Sequence, residues 1–217
     1  MLINLKLDDK TILIFGGGSI GERKAKKFLH TNSKVMILGK DFTPDIKRLS
    51  KSRNIELKQI DLKKKFSSII PLIAKSDIVV AALDDSLLNK RVSSEARKKG
   101  ILVNVVDDPT LSDFYVPATT SIGEIDVAIS TDGKSPAMAG ILRKKIIKCI
   151  KTEEILQVEL QDYARKLLKN CDFDRETRRE ILYKIIQNTR IRQLLKEEKI
   201  DEAKDLVNKI IKNNQEI

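Results

Sequence analysis

The segment from Thr11 to Lys27 most constrains how this chain can fold, because it joins an apolar run, a cluster of glycines and a run of helix formers. Five apolar or β-branched residues, TILIF, lead directly into GGGSIG, and a Lys/Arg-rich segment follows. This order predicts a strand, a glycine turn and a helix. The pattern G-x-G-x-x-G between a strand and a helix is typical of a dinucleotide-binding turn, and a glycine turn without a ligand is the alternative.

Each glycine of the G-x-G-x-x-G pattern has a physical role in holding a dinucleotide. Gly16 permits the tight turn, Gly18 lets the backbone approach a pyrophosphate, and Gly21 lets the helix pack closely on the strand. The free N–H groups at the start of the helix, where Ser19 and Ile20 lie, would bind the pyrophosphate. We therefore predict that these five residues bind the cofactor.

The next predicted strand, Lys34 to Leu38, ends in Gly39-Lys40-Asp41. An acidic residue about 20 positions after the fingerprint usually binds the ribose hydroxyls of NAD. Asp41 fits that position, whereas the neighbouring Lys40 could instead bind the 2′-phosphate of NADP. NAD is the predicted cofactor.

Residues 44–106 continue an alternation of helical and strand patterns. The run DIVVAAL is continuously apolar, as expected for a strand that is buried on both faces of a parallel sheet. This alternation predicts an α/β fold with a doubly wound, Rossmann-type parallel sheet. The predicted elements are a helix over Pro44 to Ser52, strands over Ile55 to Ile60, Asp77 to Leu83 and Ile101 to Val106, and a helix that ends at Gly100.

A β-hairpin outside this pattern follows, with strands over Tyr115 to Ser121 and Ile125 to Thr131 and a tight turn at Gly123. Ser135 and Pro136 are suited to the N-cap and first position of a helix that runs to Lys151. An isolated hairpin is barely stable, so pairing with a second chain would bury it. Ser135 is either this cap or a substrate contact.

From Thr152 onward the apolar residues recur at helical spacing, which predicts a small all-helical C-terminal domain. Its basic cluster, Arg175, Arg178 and Arg179, is either a solvated helix face or a site for substrate carboxylates.

Composition narrows the classes of function. No apolar run is long enough to span a membrane, and the N-terminus lacks a signal-peptide core, so we expect a cytoplasmic protein. The two cysteines, Cys149 and Cys171, have no metal-ligand spacing, and the single histidine, His30, is expected at a surface or helix end, so no metal site is predicted. The net charge is +11, but aromatic residues make up only 4%, which leaves few platforms for stacking bases. The charge therefore suits an anionic small molecule as well as nucleic acid, and we predict neither a nucleic-acid nor a membrane partner.

Several motifs occur together in a specific order. They are Gly16-Gly17-Gly18 followed by Glu22-Arg23-Lys24, Asp84-Asp85 followed by Asn89, Asn104-Val105-Val106-Asp107-Asp108-Pro109, Phe114, Pro117-Ala118, and Ala128 to Pro136. In this order they resemble the precorrin-2 dehydrogenase family, which includes the N-terminal module of siroheme synthase. The resemblance covers residues 1–150 closely. The family most often has alanine at the position of Gly21 and commonly has cysteine at that of Ser112.

The resemblance implies three parts: an NAD-binding Rossmann domain (1–114), a segment that forms an intertwined homodimer (115–150) and a helical C-terminal domain (151–217). It implies NAD-dependent oxidation of precorrin-2, an anionic tetrapyrrole, to sirohydrochlorin in siroheme biosynthesis. In some members a ferrochelatase activity resides in the same polypeptide.

The predicted reaction needs a group that manages the proton. Asp107 matches the family's proposed catalytic aspartate, and it stands at the end of a predicted strand, where ligands bind in open α/β folds. Asp108, before proline, is better interpreted as a turn former. Asn104 and Ser135 are our candidates for substrate contacts. A non-enzymatic NAD-binding regulatory domain shares the glycine fingerprint and is the alternative function.

Overall fold

The computed structural model describes residues 2–29, 31–52 and 55–215. It divides into two compact units, 1–115 and 116–217. Five parallel strands form the sheet of the first unit, in the order β3-β2-β1-β4-β5. The strands are β1 (Thr11–Phe15), β2 (Lys34–Gly39), β3 (Ile55–Gln59), β4 (Ile78–Ala81) and β5 (Leu102–Val105).

Helices cover the sheet on both faces, which explains why the central strands β1 and β4 are almost continuously apolar, whereas the edge strand β3 is mostly polar. The alternate residues Ile12 and Ile14 of β1 face the helices α1 (Ser19–Phe28) and α2 (Pro44–Ser52). The intervening residues Leu13 and Phe15 face a short 3-10 helix (Phe66–Ile69), α3 (Ile70–Ala74) and α4 (Ser86–Lys98). The predicted Rossmann-type α/β fold is confirmed.

This strand order reverses direction between β1 and β4. The carboxyl ends of all five strands lie at one edge, and in open α/β sheets ligands bind outside that edge at the point of reversal. The glycine turn follows β1 at this edge, and Asp107 follows β5. Because neighbouring strands are about 4.8 Å apart, two strand spacings separate these features by roughly 10 Å.

The second unit begins with the antiparallel hairpin β6 (Ala118–Ile122) and β7 (Ile125–Ile129). Helix α5 (Pro136–Cys149) follows and packs against the hairpin through the buried Ala139 and a hydrogen bond from Arg143 Nη1 to the carbonyl of Thr119 (2.9 Å). Four helices then surround a separate core, α6 (Thr152–Lys169), α7 (Arg175–Gln187), α8 (Thr189–Lys196) and α9 (Ile200–Gln215).

The hairpin and its turn lie where the sequence predicts them, with Gly123 at a φ of 55°. The first strand begins three residues later than predicted, after Pro117. The helix from Pro136 ends at Cys149 rather than Lys151, because Ile150 is extended (φ −83°, ψ 118°). A new helix starts at Thr152.

Whether 115–150 and 151–217 are separate functional parts stays a prediction. Among the described residues, no helix is long and apolar enough to cross a membrane.

Candidate active site

The glycine turn is packed so tightly that three of its four glycines, Gly16, Gly17 and Gly21, leave no room for a side chain. Gly16 has a φ of 114°, and a Cβ there would lie 2.1 Å from the carbonyl oxygen of Ala82. A Cβ at Gly21 would lie 1.9 Å from the carbonyl oxygen of Gly16, so the helix start packs directly on the turn. In this chain glycine is therefore required at both positions, including the one where the family most often has alanine.

Gly18 differs from its neighbours, because a Cβ there would meet no protein atom within 4 Å. It is exposed, its backbone is extended (φ −79°, ψ −173°), and it caps α1 without a side-chain hydrogen bond. Ser19 and Ile20, the first residues of α1, are also exposed. The open space over Gly18, next to the start of a ten-residue helix, fits the pyrophosphate of a dinucleotide.

The loop after β2 is fastened to this turn. The backbone N–H of Thr43 donates to the carbonyl of Gly17 (3.0 Å), and its hydroxyl donates to Glu22 Oε2 (2.7 Å). Lys26 pairs with the other oxygen of Glu22. Hydrogen bonds from Lys26 and Thr43 hold the pKa of Glu22 below its usual value. A Cβ on Gly17 would lie 2.1 Å from the carbonyl oxygen of Asp41, so Gly17 permits the close approach of this loop.

Lys40 and Asp41 lie in the loop after β2, at the ligand edge of the sheet, and both are exposed. Lys40 lines a cleft of about 670 Å³ that Ile60, Asp61 and Leu83 also line. Asp41 is not among the residues that line this cleft. The cleft lies at the carboxyl ends of β2, β3 and β4, the edge of the sheet at which ligands bind in open α/β folds. The ribose contact of Asp41 stays a prediction.

Asp107 follows β5 and is exposed at the ligand edge. The side-chain amide of Asn89 donates to its Oδ1 (3.0 Å). Asp108 has a different role: its Oδ1 accepts hydrogen bonds from the N–H (2.9 Å) and hydroxyl (2.6 Å) of Thr110, and it caps the short 3-10 helix Pro109–Leu111. These bonds lower the pKa of Asp108. The interpretation of Asp108 as a turn former is thus confirmed.

The free edge of β5 is covered by the segment that follows Asp107. Ser112 Oγ accepts from the N–H of Val105 (2.8 Å) and donates to its carbonyl (3.1 Å). Asp113 pairs with Val103 in the same way, through its backbone N–H and its Oδ2. These bonds satisfy the backbone of an edge strand and close the base of the loop that begins with Asp107.

Asn104 is buried and bonded at both ends of its amide. Its Nδ2 donates to the carbonyl of Phe114 (2.9 Å), and its Oδ1 accepts from Lys24 Nζ (2.8 Å). Lys24 is half-buried, and burial, followed by the charges of Arg23 and Lys27, lowers its pKa. Asn104 therefore links α1 to the loop after β5, and its predicted contact with the substrate stays a prediction.

In the second unit, Ser135 caps α5 as one of its two interpretations predicts, since Met138 N–H donates to its hydroxyl (3.3 Å). Its contact with the substrate stays a prediction. In the basic cluster, Arg178 donates to the carbonyl of Cys171 (3.0 Å), and Arg179 lies over the ring of Tyr183 (5.7 Å).

His30 lies outside the described residues. Within them, no group of three His, Cys, Asp or Glu side chains is placed to hold a metal ion. No local sequence pattern predicts the roles of Gly17 and the Thr43 hydroxyl or the hydrogen bond between Asn89 and Asp107. Asn89 belongs to the motif that resembles the family, and that motif was the one signal that pointed to it.

Comparisons with known proteins identify the family of this chain. The family model described as NAD(P)-binding matches residues 3–118, more than half of the chain. A precorrin-2 dehydrogenase of Methanosarcina barkeri is 34% identical over 185 residues, which cover 85% of this chain and 81% of that protein. This protein belongs to the precorrin-2 dehydrogenase family. The resemblance drawn from the sequence is confirmed, and with it the class of NAD-dependent oxidoreductase.

Three further comparisons agree with this family. The model described as "Sirohaem biosynthesis protein central" matches residues 123–148, which contain the second strand of the hairpin, β7, and all of α5 except its last residue. Siroheme synthase 1 of Klebsiella pneumoniae is 32% identical over 174 residues, which are 80% of this chain but 36% of that longer protein. The solved structure of SirC, precorrin-2 dehydrogenase, has the same fold, with a TM-score of 0.72 at 20% identity, and the match covers 96% of this chain and 99% of that one.

Proposed function

We propose that this protein oxidises precorrin-2 to sirohydrochlorin, as the name of its Methanosarcina relative implies for that protein. The observation that carries the proposal is that the glycine turn and the exposed carboxylate of Asp107 lie at one edge of one sheet. NAD, when bound, accepts the hydride that the tetrapyrrole loses. The products are sirohydrochlorin, NADH and a proton.

The residues of the chain bind the cofactor, orient it and manage that proton. The start of α1 and the open space over Gly18 hold the pyrophosphate. Lys40 and Asp41, in the loop after β2, would hold the adenosine ribose, and the residues after β4 and β5 would border the nicotinamide. Asp107 then stands on the nicotinamide side, where its carboxylate accepts or relays the proton.

The test is to mix the purified protein with enzymatically made precorrin-2 and NAD and to follow the absorption spectrum. We expect sirohydrochlorin to appear with one NADH per molecule, and NAD to support turnover better than NADP because of Asp41. NAD binding by calorimetry without any NADH formation would instead support a regulatory NAD-binding domain. Fe²⁺ added to the same mixture reports on ferrochelatase activity.

We further propose a homodimer that is built from the hairpin and α5. Four large apolar side chains on α5 are exposed, at 38–47% of their full area: Met138, Ile141, Leu142 and Ile146. They recur at helical spacing, so they form one contiguous apolar surface, and such a surface usually marks an interaction site. A two-stranded hairpin also gains stability from a partner. A second copy of this chain is the partner that the family resemblance implies.

Ile146→Glu tests this interface, because a carboxylate that is buried between two copies has no partner and carries a large desolvation cost. We expect the wild-type protein to have twice the 24.6 kDa mass of one chain by light scattering at micromolar concentration, and the variant to have the mass of one chain. Ile186→Glu on α7 is the matched control, since both isoleucines are 41% exposed. A monomeric wild-type protein, or a control that dissociates equally, would contradict the proposal.

The compartment we propose is the cytoplasm. Both cysteines are free thiols, Cys149 exposed and Cys171 half-buried, which suits a reducing environment.

A further inference from the structure

Asn89 is a buried polar residue in a position that a core residue would normally fill. It lies one turn into α4, where its backbone N–H donates to the carbonyl of the N-cap residue Asp85 (3.0 Å). Its side chain is completely buried, on a helix whose neighbouring buried positions are Leu88, Val92 and Ala96. Burial of an amide is unfavourable unless its hydrogen bonds are made, so its partners are informative.

The amide of Asn89 makes three hydrogen bonds across the ends of two strands. Its Oδ1 accepts from the backbone N–H of Leu83 (3.1 Å), and its Nδ2 donates to the carbonyl of Leu83 (2.9 Å). The second hydrogen of Nδ2 goes to Asp107 Oδ1 (3.0 Å). Asn89 therefore joins Leu83, two residues after β4, to Asp107, two residues after β5, at the ligand edge of the sheet.

The backbone of Leu83 fixes which end of the amide faces Asp107. A reversed amide would place its NH₂ group against the N–H of Leu83 and its oxygen against the Asp107 carboxylate, which would set donor against donor and acceptor against acceptor. Only one orientation satisfies all the groups, and in it Asn89 donates to Asp107. A leucine or alanine at this position could not donate a hydrogen bond to Asp107.

We infer that Asn89 is a positioning residue that holds Asp107 in the orientation needed for proton transfer. The inference rests on the proposed function, because it gives Asn89 a role in the same reaction. The bond from Asn89 holds Oδ1 on the side of β4, and no hydrogen bond from the described residues reaches Oδ2. Oδ2 is then the oxygen that takes or relays the proton, and its direction is set by Asn89.

The first test compares Asn89→Ala with the matched control Ser93→Ala. Ser93 lies one turn further along α4, is 1% exposed, and donates its hydroxyl to the carbonyl of Leu111 (2.9 Å), in the loop that begins with Asp107. Both variants remove a buried hydrogen bond between the helix and that loop. Asn89→Ala removes the contact with Asp107 and also the two bonds to Leu83, so the double-mutant cycle below separates these two effects. We expect Asn89→Ala to lower kcat about 10- to 100-fold, the size of effect that small misplacements cause. KM for precorrin-2 should change less than about twofold, because Asn89 has no exposed surface from which to contact the substrate. Kd for NAD is measured beside it, because Asn89 also holds Leu83, which lines the cleft next to Lys40.

Ser93→Ala should shift the urea midpoint of unfolding in the same direction while kcat stays near the wild-type value. An Asn89→Ala variant with normal kcat, or a Ser93→Ala variant with an equal loss of kcat, would overturn the inference. If Asn89→Ala does not fold, Asn89→Ser replaces it with the same expectations, since a hydroxyl can keep one bond to Leu83.

The second test is a double-mutant cycle with Asp107→Ala, with two readouts. In the Asp107→Ala background, Asn89→Ala should cause little further loss of kcat, because its effect acts through the absent carboxylate. Its shift of the urea midpoint should also be smaller there than in the wild-type background. Additive losses in both readouts would overturn the inference. If the wild-type protein forms no NADH from precorrin-2, the proposed function itself fails, and the urea cycle still shows whether the contact exists in solution.

Discussion

We expect Asp107→Ala to lower the turnover of precorrin-2 by about 100- to 10,000-fold, the typical contribution of a general acid or base. Asp107 stands at the ligand edge, and among the described residues its one hydrogen bond comes from Asn89 to Oδ1 (3.0 Å), which leaves Oδ2 for the substrate. NAD affinity should barely change, because the pyrophosphate lies at the glycine turn. Steady-state kinetics together with calorimetric NAD titration measure the two effects separately.

The variant Asp107→Asn tests whether turnover depends on the ability of this side chain to take a proton or only on its shape. The amide keeps an oxygen that can accept from Asn89 but cannot take a proton, so we expect the same loss of turnover as with alanine. Near-normal turnover of Asp107→Asn beside an inactive Asp107→Ala would make Asp107 a positioning residue. Asp108→Ala is the control: it removes a cap from a short 3-10 helix, and we expect it to reduce stability and leave most of the turnover.

The sheet could be predicted from the sequence because buried parallel strands are continuous apolar runs between glycine and polar breaks. The ends of the strands could not be predicted so well, as β4 shows. The apolar run DIVVAAL suggests a strand to Leu83, but the strand ends at Ala81, where its pairing with β5 also ends. Leu83 instead gives both of its backbone groups to the side chain of Asn89. The pattern of apolar residues does not show that a side chain takes the hydrogen bonds of the backbone, so it could not predict where β4 ends.

The cofactor side of the site was more accessible to sequence reasoning than the proton-transfer side. Glycine positions report backbone geometry directly, and Gly16 and Gly21 lie where a side chain would strike backbone oxygens. The partner of Asp107 lies 18 positions earlier in the chain, on a different element. Only the order of the strands brings the ends of β4 and β5 together, so the pairing of Asn89 with Asp107 depends on topology that local spacing does not contain.

Gly18→Ala should weaken NAD binding by about 10- to 100-fold while the free energy of unfolding stays nearly unchanged. A methyl group at Gly18 meets no protein atom within 4 Å, and the backbone conformation there is one that alanine adopts readily. The methyl group would instead occupy the space where the pyrophosphate approaches the backbone. An overpacking cost of about 1–3 kcal/mol corresponds to that loss of affinity. Calorimetric NAD titration and urea denaturation of the same preparation measure both quantities.

Substitutions of two other glycines serve as controls for the effect of Gly18→Ala on NAD binding. Gly16→Ala combines a φ of 114° with a contact of 2.1 Å to the carbonyl oxygen of Ala82, so it should destabilise the fold by about 2 kcal/mol or more. Gly140→Ala, on α5, also meets no atom within 4 Å but lies in the second unit, and it should leave NAD affinity unchanged. A Gly18→Ala variant that binds NAD as tightly as the wild-type protein would place the pyrophosphate away from this turn. Because its fold is expected to be intact, such a result could not be attributed to unfolding, and the assignment of the cofactor site to the start of α1 would have to be abandoned.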